Sequence, residues 1–156
     1  MTTAADYAGR KLDVLAFDGA TLKGETLLDQ VLARPGAGGK ITAGVQKLAQ
    51  RFLLELLTEE ETLPYNPSRG CLFMFEARAG YFQTHLDVIG AFARAVSAIR
   101  RNLANDETDD DPEDERFASA ELKSVSLAAG TARLYVELLS QAGTARTVLL
   151  PLDIIA

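Results

Sequence analysis

The sequence predicts an α+β domain in which two main helices pack on a small sheet that ends in a C-terminal antiparallel meander. Apolar residues recur every three to four positions from Ile41 to Leu56, and again from Leu86 to Ile99, which is the period of an amphipathic helix. Beyond residue 116 the period falls toward two: Leu134, Val136 and Leu138 alternate with Arg133, Tyr135, Glu137 and Leu139. A chain of 156 residues that is 47% hydrophobic can bury one core and is short for two. Residues 1–156 are therefore read as a single domain, with an acidic loop at 105–115.

Leu12 to Phe17 is short, apolar-rich and followed by Asp18-Gly19, which predicts a strand stopped by a turn. Thr26 to Ala33 fits a second, weaker extended segment, although Leu27, Leu28, Val31 and Leu32 leave a helix open. Residues 34–40 (RPGAGGK) read as a glycine-rich loop. The first helix runs from Ile41 and stops near Thr58, before Pro64 and Pro67, whose fixed φ and missing N–H oppose continuation. The second begins at Thr84, where a hydroxyl followed three residues later by Asp87 predicts a capping box. Leu86, Ile89, Ala93, Val96 and Ile99 are its expected buried stripe. Ala129-Gly130 and Ala142-Gly143 then separate the strands of the meander.

Composition excludes several functions. The formal net charge is −6, but eight of the 22 acidic residues lie between Asp106 and Glu115, and the remaining 14 face 16 Lys and Arg. The body is near neutral and has no basic face with interleaved aromatics, so no nucleic-acid partner is expected. Met1 to Gly9 is polar and no run of ~18 apolar residues occurs, so neither a signal peptide nor a membrane partner is expected. One cysteine, Cys71, cannot form an internal disulfide, and with one histidine, His85, it offers too few ligands for a zinc site. No metal and no cofactor is expected.

Each chemical motif has a plainer reading. Gly36, Gly38, Gly39 and Lys40 resemble a phosphate loop without its spacing, so they read as a connector. The run DETDDDPEDE lacks the glycine and the following helix of a calcium loop, and its like charges predict a solvated, partly mobile segment. Glu59, Glu60 and Glu61 could supply one carboxylate of a glycosidase pair, but only composition argues for it. Cys71, among Leu72, Phe73, Met74 and Phe75, reads as a small buried hydrophobe, and His85 as a surface residue. No catalytic residue is assigned and no enzyme is expected. The C-terminal Thr147, Val148, Leu149, Leu150, Pro151 and Leu152 form an apolar extended run. Its backbone could accept a strand from another chain, or the run could fold over its own core; both readings stay open.

The order of these segments resembles a known family. The helix ITAGVQKLAQRFLLELLT, the loop ETLPYNPSRGCLFMF, a long second helix, DERFASAELKSVSL and a meander closing on LLPL together resemble the baseplate wedge and sheath-initiator proteins of contractile phage tails, a family that includes a type VI secretion baseplate component. The likeness spans Leu12 to Leu152. Thr58, Pro67 and Gly70 match the family's "LLT" and "P-x-x-G" elements. Its acidic-Pro-Arg signature is matched by Asp114 or Glu115 with Arg116, although Pro112 stands earlier than the pattern requires.

The resemblance implies a structural component of the virion tail baseplate, assembled in the bacterial host's cytoplasm and present in six copies around the tail. Tail sheath protein and baseplate wedge proteins would be its partners, with the tail tube or hub nearby. The chain would start the sheath by exchanging strands, and Asp114, Glu115 and Arg116 would make charged contacts to the wedge. A peptidoglycan-degrading tail hydrolase and a free-standing protein-binding domain are the alternatives.

Overall fold

The computed structural model of the chain describes residues 10–11, 13–14, 17–22, 25–30 and 41–154. The glycine-rich segment 34–40 lies outside the described residues, as do positions 12, 15–16 and 31–33 of the expected N-terminal strands. The α+β class is as expected: helices lie against a sheet that ends in an antiparallel meander.

Strand β1 (Asp13–Val14) pairs antiparallel with β4 (Ile41–Thr42) in a two-stranded ladder. Between them, β2 (Phe17–Leu22) and β3 (Glu25–Gln30) form an antiparallel hairpin. The turn expected at Asp18-Gly19 is not there, because β2 runs straight through it, with Asp18 opposite Asp29 and Gly19 opposite Leu28. A continuous ladder outweighs the local turn preference of two residues. Residues 25–30 take the extended alternative.

Helix α1 (Gly44–Leu57) starts three residues later than Ile41, since Ile41 and Thr42 are committed to the β1 ladder. It ends at Thr58 as expected, and its Leu48, Phe52, Leu53 and Leu56 are buried. A short helix α2 (Phe73–Arg78) follows; six residues are too few to show a helical period in the sequence. Helix α3 (His85–Asp106) opens with the expected capping box. The Asp87 N–H donates to Thr84 Oγ1 at 3.3 Å, and the Thr84 N–H donates to Asp87 Oδ2 at 2.7 Å. The expected stripe of α3 is corrected: Val88, Ala91, Phe92, Ala95, Ile99 and Leu103 are buried, whereas Leu86 and Ile89 are 77% and 48% exposed. Anchoring the period on Leu86 rotated the helix away from the core.

Strands β5 (Phe117–Ala128), β6 (Thr131–Ser140) and β7 (Ala145–Asp153) make the meander, and the five-stranded sheet has the order β2-β3-β7-β6-β5. On one face Leu134, Val136, Leu138, Val148, Leu150 and Leu152 meet the helices. Phe52 of α1 joins the layers, stacked on Phe117 of β5 at 5.8 Å and tilted against Phe92 of α3 at 6.3 Å.

Candidate functional site

The acidic segment after α3 keeps Asp106, Asp109, Asp110 and Glu113 exposed, as expected of a solvated loop, but Asp111, Asp114 and Glu115 tie it into a folded clasp. It begins with a turn in which the Thr108 N–H and hydroxyl both donate to Asp111 Oδ2, at 2.8 and 3.0 Å. These two donors, followed by Lys11, pull the Asp111 carboxyl down to about 2. Glu107 accepts the Phe117 N–H at 3.0 Å, and its burial pushes its carboxyl above the usual range. The Gln141 N–H donates to Arg116 O and the Ala142 N–H to Glu113 O, so the β6–β7 turn buttresses the clasp.

Glu115 is its centre. The side chain is 2% exposed and accepts from Gly44 N–H at 2.9 Å, Lys47 Nζ at 2.7 Å and Arg10 Nη1 at 3.2 Å. Burial alone would raise this carboxyl, but Lys47, the Gly44 N–H and Arg10 outweigh it and hold it below the usual range. Helix α1 needs this partner, because its N-cap is Ala43 and its first turn contains no acid. Glu115 thus caps α1 from 71 residues away. Gly44 sits at φ +63°, and a Cβ there would come within 2.9 Å of Asp114 Oδ2. Asp114 is held by Arg10 Nη1, 2.9 Å from both carboxylate oxygens.

Asp114 and Glu115, expected to face a partner, are therefore engaged within the chain. Arg116 is also turned inward. It is 18% exposed, lies 3.6 Å from Asp109 and 3.7 Å from Glu113, and its buried Nε has no hydrogen-bond partner among the described residues. Arg10, Lys47 and Arg51, whose Nη1 donates to Glu115 O at 3.3 Å, are the site residues that sequence reasoning missed. The signal available was the bare Ala-Gly start of a strongly amphipathic helix, which calls for an anion from elsewhere.

The C-terminal run is likewise not an open edge. Among the described strands β7 lies inside the sheet, paired along its length with β6 and on its other side with β3, in parallel, at Leu27 and Leu149. Val148, Leu150 and Leu152 enter the chain's own core, whereas Thr147, Leu149 and Pro151 belong to the opposite face. The sheet's edges are β2 and β5. Cross-strand register explains the burial: an alternating apolar strand lying on a helical layer gains more by filling that layer than by staying open.

A second buried carboxylate organises the loop that carries Thr58, Pro67 and Gly70. Glu55 of α1 accepts the Gly70 N–H at 2.9 Å and Asn102 Nδ2 at 2.9 Å, and it pairs with Arg69, which also pairs with Asp106. Gly70 has φ +85°, and a Cβ there would lie 2.3 Å from Thr58 O. Glycine in the P-x-x-G element is thus required by a close backbone crossing.

Cys71 is buried, its thiol faces the carbonyls of Glu55 and Leu56 at 3.7 Å, and burial pushes it up to about 11. It stays protonated near neutral pH, as a packed hydrophobe would. His85 is exposed at the start of α3. Glu59 pairs with Arg78, and Glu61 is exposed. Among the described residues no three His, Cys, Asp or Glu side chains converge on a metal-binding position. No family model matches the chain, and neither a curated protein nor a solved structure matches it.

Proposed function

We propose that this chain is a structural component of a contractile tail baseplate, linking the wedge to the first sheath ring and initiating sheath assembly. The observation that carries the reading is the order of its parts. A helix ending in LLT, a Gly70-dependent P-x-x-G loop, a long capped helix, an acidic-Arg segment and a meander closing on LLPL occur together in one packed unit. Six copies around a tail tube, with sheath and wedge proteins as partners, complete the proposal.

Strand exchange suits this role because backbone hydrogen bonds fix direction while alternate side chains fix register. An incoming sheath strand that pairs with Thr147 to Leu152 would take the place of β3 beside β7. Arg116, with Asp114 and Glu115 already engaged by Arg10 and Lys47, would then meet a wedge carboxylate through a guanidinium that is in part exposed.

The test is sheath polymerisation on purified tubes and baseplates assembled with and without this chain, followed by electron microscopy. Sheath rings are expected only when the chain is present, and Arg116→Ala is expected to reduce its incorporation into baseplates. Equal sheath growth without the chain would remove the proposal.

A further inference from the structure

The loop between α1 and α2 presents an apolar tip that the fold does not bury. Its base is closed: Glu59 bridges Cys71, the Cys71 N–H donates to Thr58 O at 3.0 Å, and Gly70 crosses the Thr58 backbone. Leu63 and Tyr65 are 45% and 101% exposed, and Pro64 and Pro67 are exposed beside them. Tyr65 makes no ring contact and no side-chain hydrogen bond among the described residues. A lone exposed apolar side chain is ordinary, whereas Leu63, Pro64, Tyr65 and Pro67 follow one another along a single tip.

The backbone under this tip is pinned. Pro64 and Pro67 each hold the second position of a β-turn, where proline presets φ; the turns close through Asn66 N–H to Leu63 O at 3.1 Å and Arg69 N–H to Asn66 O at 3.2 Å. Across the neck the Glu61 N–H donates to Pro67 O at 2.9 Å, with Glu61 at φ +67°. The Thr62 hydroxyl donates to Glu59 O at 2.6 Å, and the Ser68 hydroxyl to Asn66 Oδ1 at 3.0 Å. Glu55 fastens the base through Arg69 and the Gly70 N–H. The chain therefore holds an exposed tyrosine in place, with a non-glycine residue at positive φ, for no contact of its own. A preordered loop loses less entropy on binding, and tyrosine offers a large contact area with only two side-chain angles to fix.

The charges around the tip say what it meets. Glu60 and Glu61 are exposed, and their carboxylates have no ion pair among the described residues. Arg69, the only Lys or Arg between positions 52 and 77, is turned inward to Glu55 and Asp106. An apolar centre with an acidic flank is repelled by an anionic lipid surface and is complementary to a protein cleft with a basic rim.

We propose that Tyr65 anchors this chain in an apolar cleft, rimmed by Lys or Arg, on a neighbouring wedge protein, with Glu60 and Glu61 meeting the rim. The proposal rests on the baseplate reading and adds to it a contact separate from Arg116.

The experiment titrates the labelled full chain onto purified wedge complexes assembled without it. Absence of binding by the unaltered chain ends the baseplate reading, and this proposal with it. Where the unaltered chain binds, Tyr65→Ala is expected to weaken it about tenfold or more, as loss of a buried aromatic anchor does. Tyr65→Phe should keep most of the affinity, and Glu60→Lys with Glu61→Lys should weaken it most at low salt. Tyr65→Ala should leave thermal unfolding unchanged, since the ring touches nothing within the chain. Equal binding by Tyr65→Ala overturns the proposal and leaves the baseplate reading standing, and indifference to the charge reversal overturns the basic rim. Two other results overturn it: binding to phosphatidylcholine vesicles that Tyr65→Ala abolishes, which assigns the tip to lipid, and a dimer in sedimentation that Tyr65→Ala dissolves, which assigns it to a second copy of the chain.

Discussion

Glu55 and Glu115 are both buried carboxylates that tie a loop to helix α1, and each accepts one backbone N–H and two side-chain donors. They act in opposite directions. Glu55 projects from the helix, so helical geometry places it and the loop must conform, at the expense of Gly70's positive φ. Glu115 projects from the loop and finishes the helix, so the loop must fold before the helix start is satisfied. The Thr108–Asp111 turn and the Arg10 contacts supply that order. A strut carried by a helix depends on backbone fit at its far end, whereas a strut carried by a loop depends on the charges around it.

Five measurements would break or sharpen this contrast. Gly70→Ala should have the largest effect, about 4 kcal/mol of lost stability in urea denaturation, because the new methyl collides with the Thr58 carbonyl at a φ that L side chains disfavour. A loss below about 1 kcal/mol would show that the crossing relaxes freely. Glu115→Ala should cost about 3 kcal/mol, since Lys47, Arg10 and the Gly44 N–H lose a shared buried acceptor. Glu55→Gln should cost less, about 1–2 kcal/mol, because an amide oxygen can still accept from Gly70, and Arg69 keeps Asp106.

Acid should weaken the strut carried by the loop. Asp111 and Glu115 have carboxyls held below their ordinary values, so their contribution is complete above an ordinary carboxyl value of about 4. It is lost as pH falls toward the folded value, about 2 for Asp111. Glu107, raised by burial, acts in the opposite sense and offsets part of that loss. The urea midpoint should therefore fall between pH 5 and pH 2.5, and Glu115→Ala should make that fall shallower. An identical pH slope in the variant would mean that Glu115 contributes nothing through its charge. The smallest stability effect belongs to Arg116→Ala, at about 0–1 kcal/mol, because its partners Asp109 and Glu113 are exposed and more than 3.5 Å away.

Helix α1, the Thr84–Asp87 cap and the three-strand meander were legible in the sequence, because each rests on a local period or on residues three apart. The stripe of α3 was misread because Leu86 and Ile89 are apolar residues kept at the surface, and a periodicity argument assigns every apolar residue to the core. The turn at Asp18-Gly19 failed because pairing with β3 decides that backbone.

What the sequence by itself determined about this protein is its class and the presence of its longer helices and of the C-terminal meander, since hydrophobic period, capping and turn chemistry act over a few residues. The tertiary structure alone decided where the charges of the acidic segment go and which strands form the edges of the sheet. Glu115 finds Gly44, Lys47 and Arg10 across 71, 68 and 105 positions, and Leu149 of β7 meets Leu27 of β3 from the other end of the chain. Contacts at such separations depend on how the helices and sheet pack, a many-body outcome that no local pattern encodes.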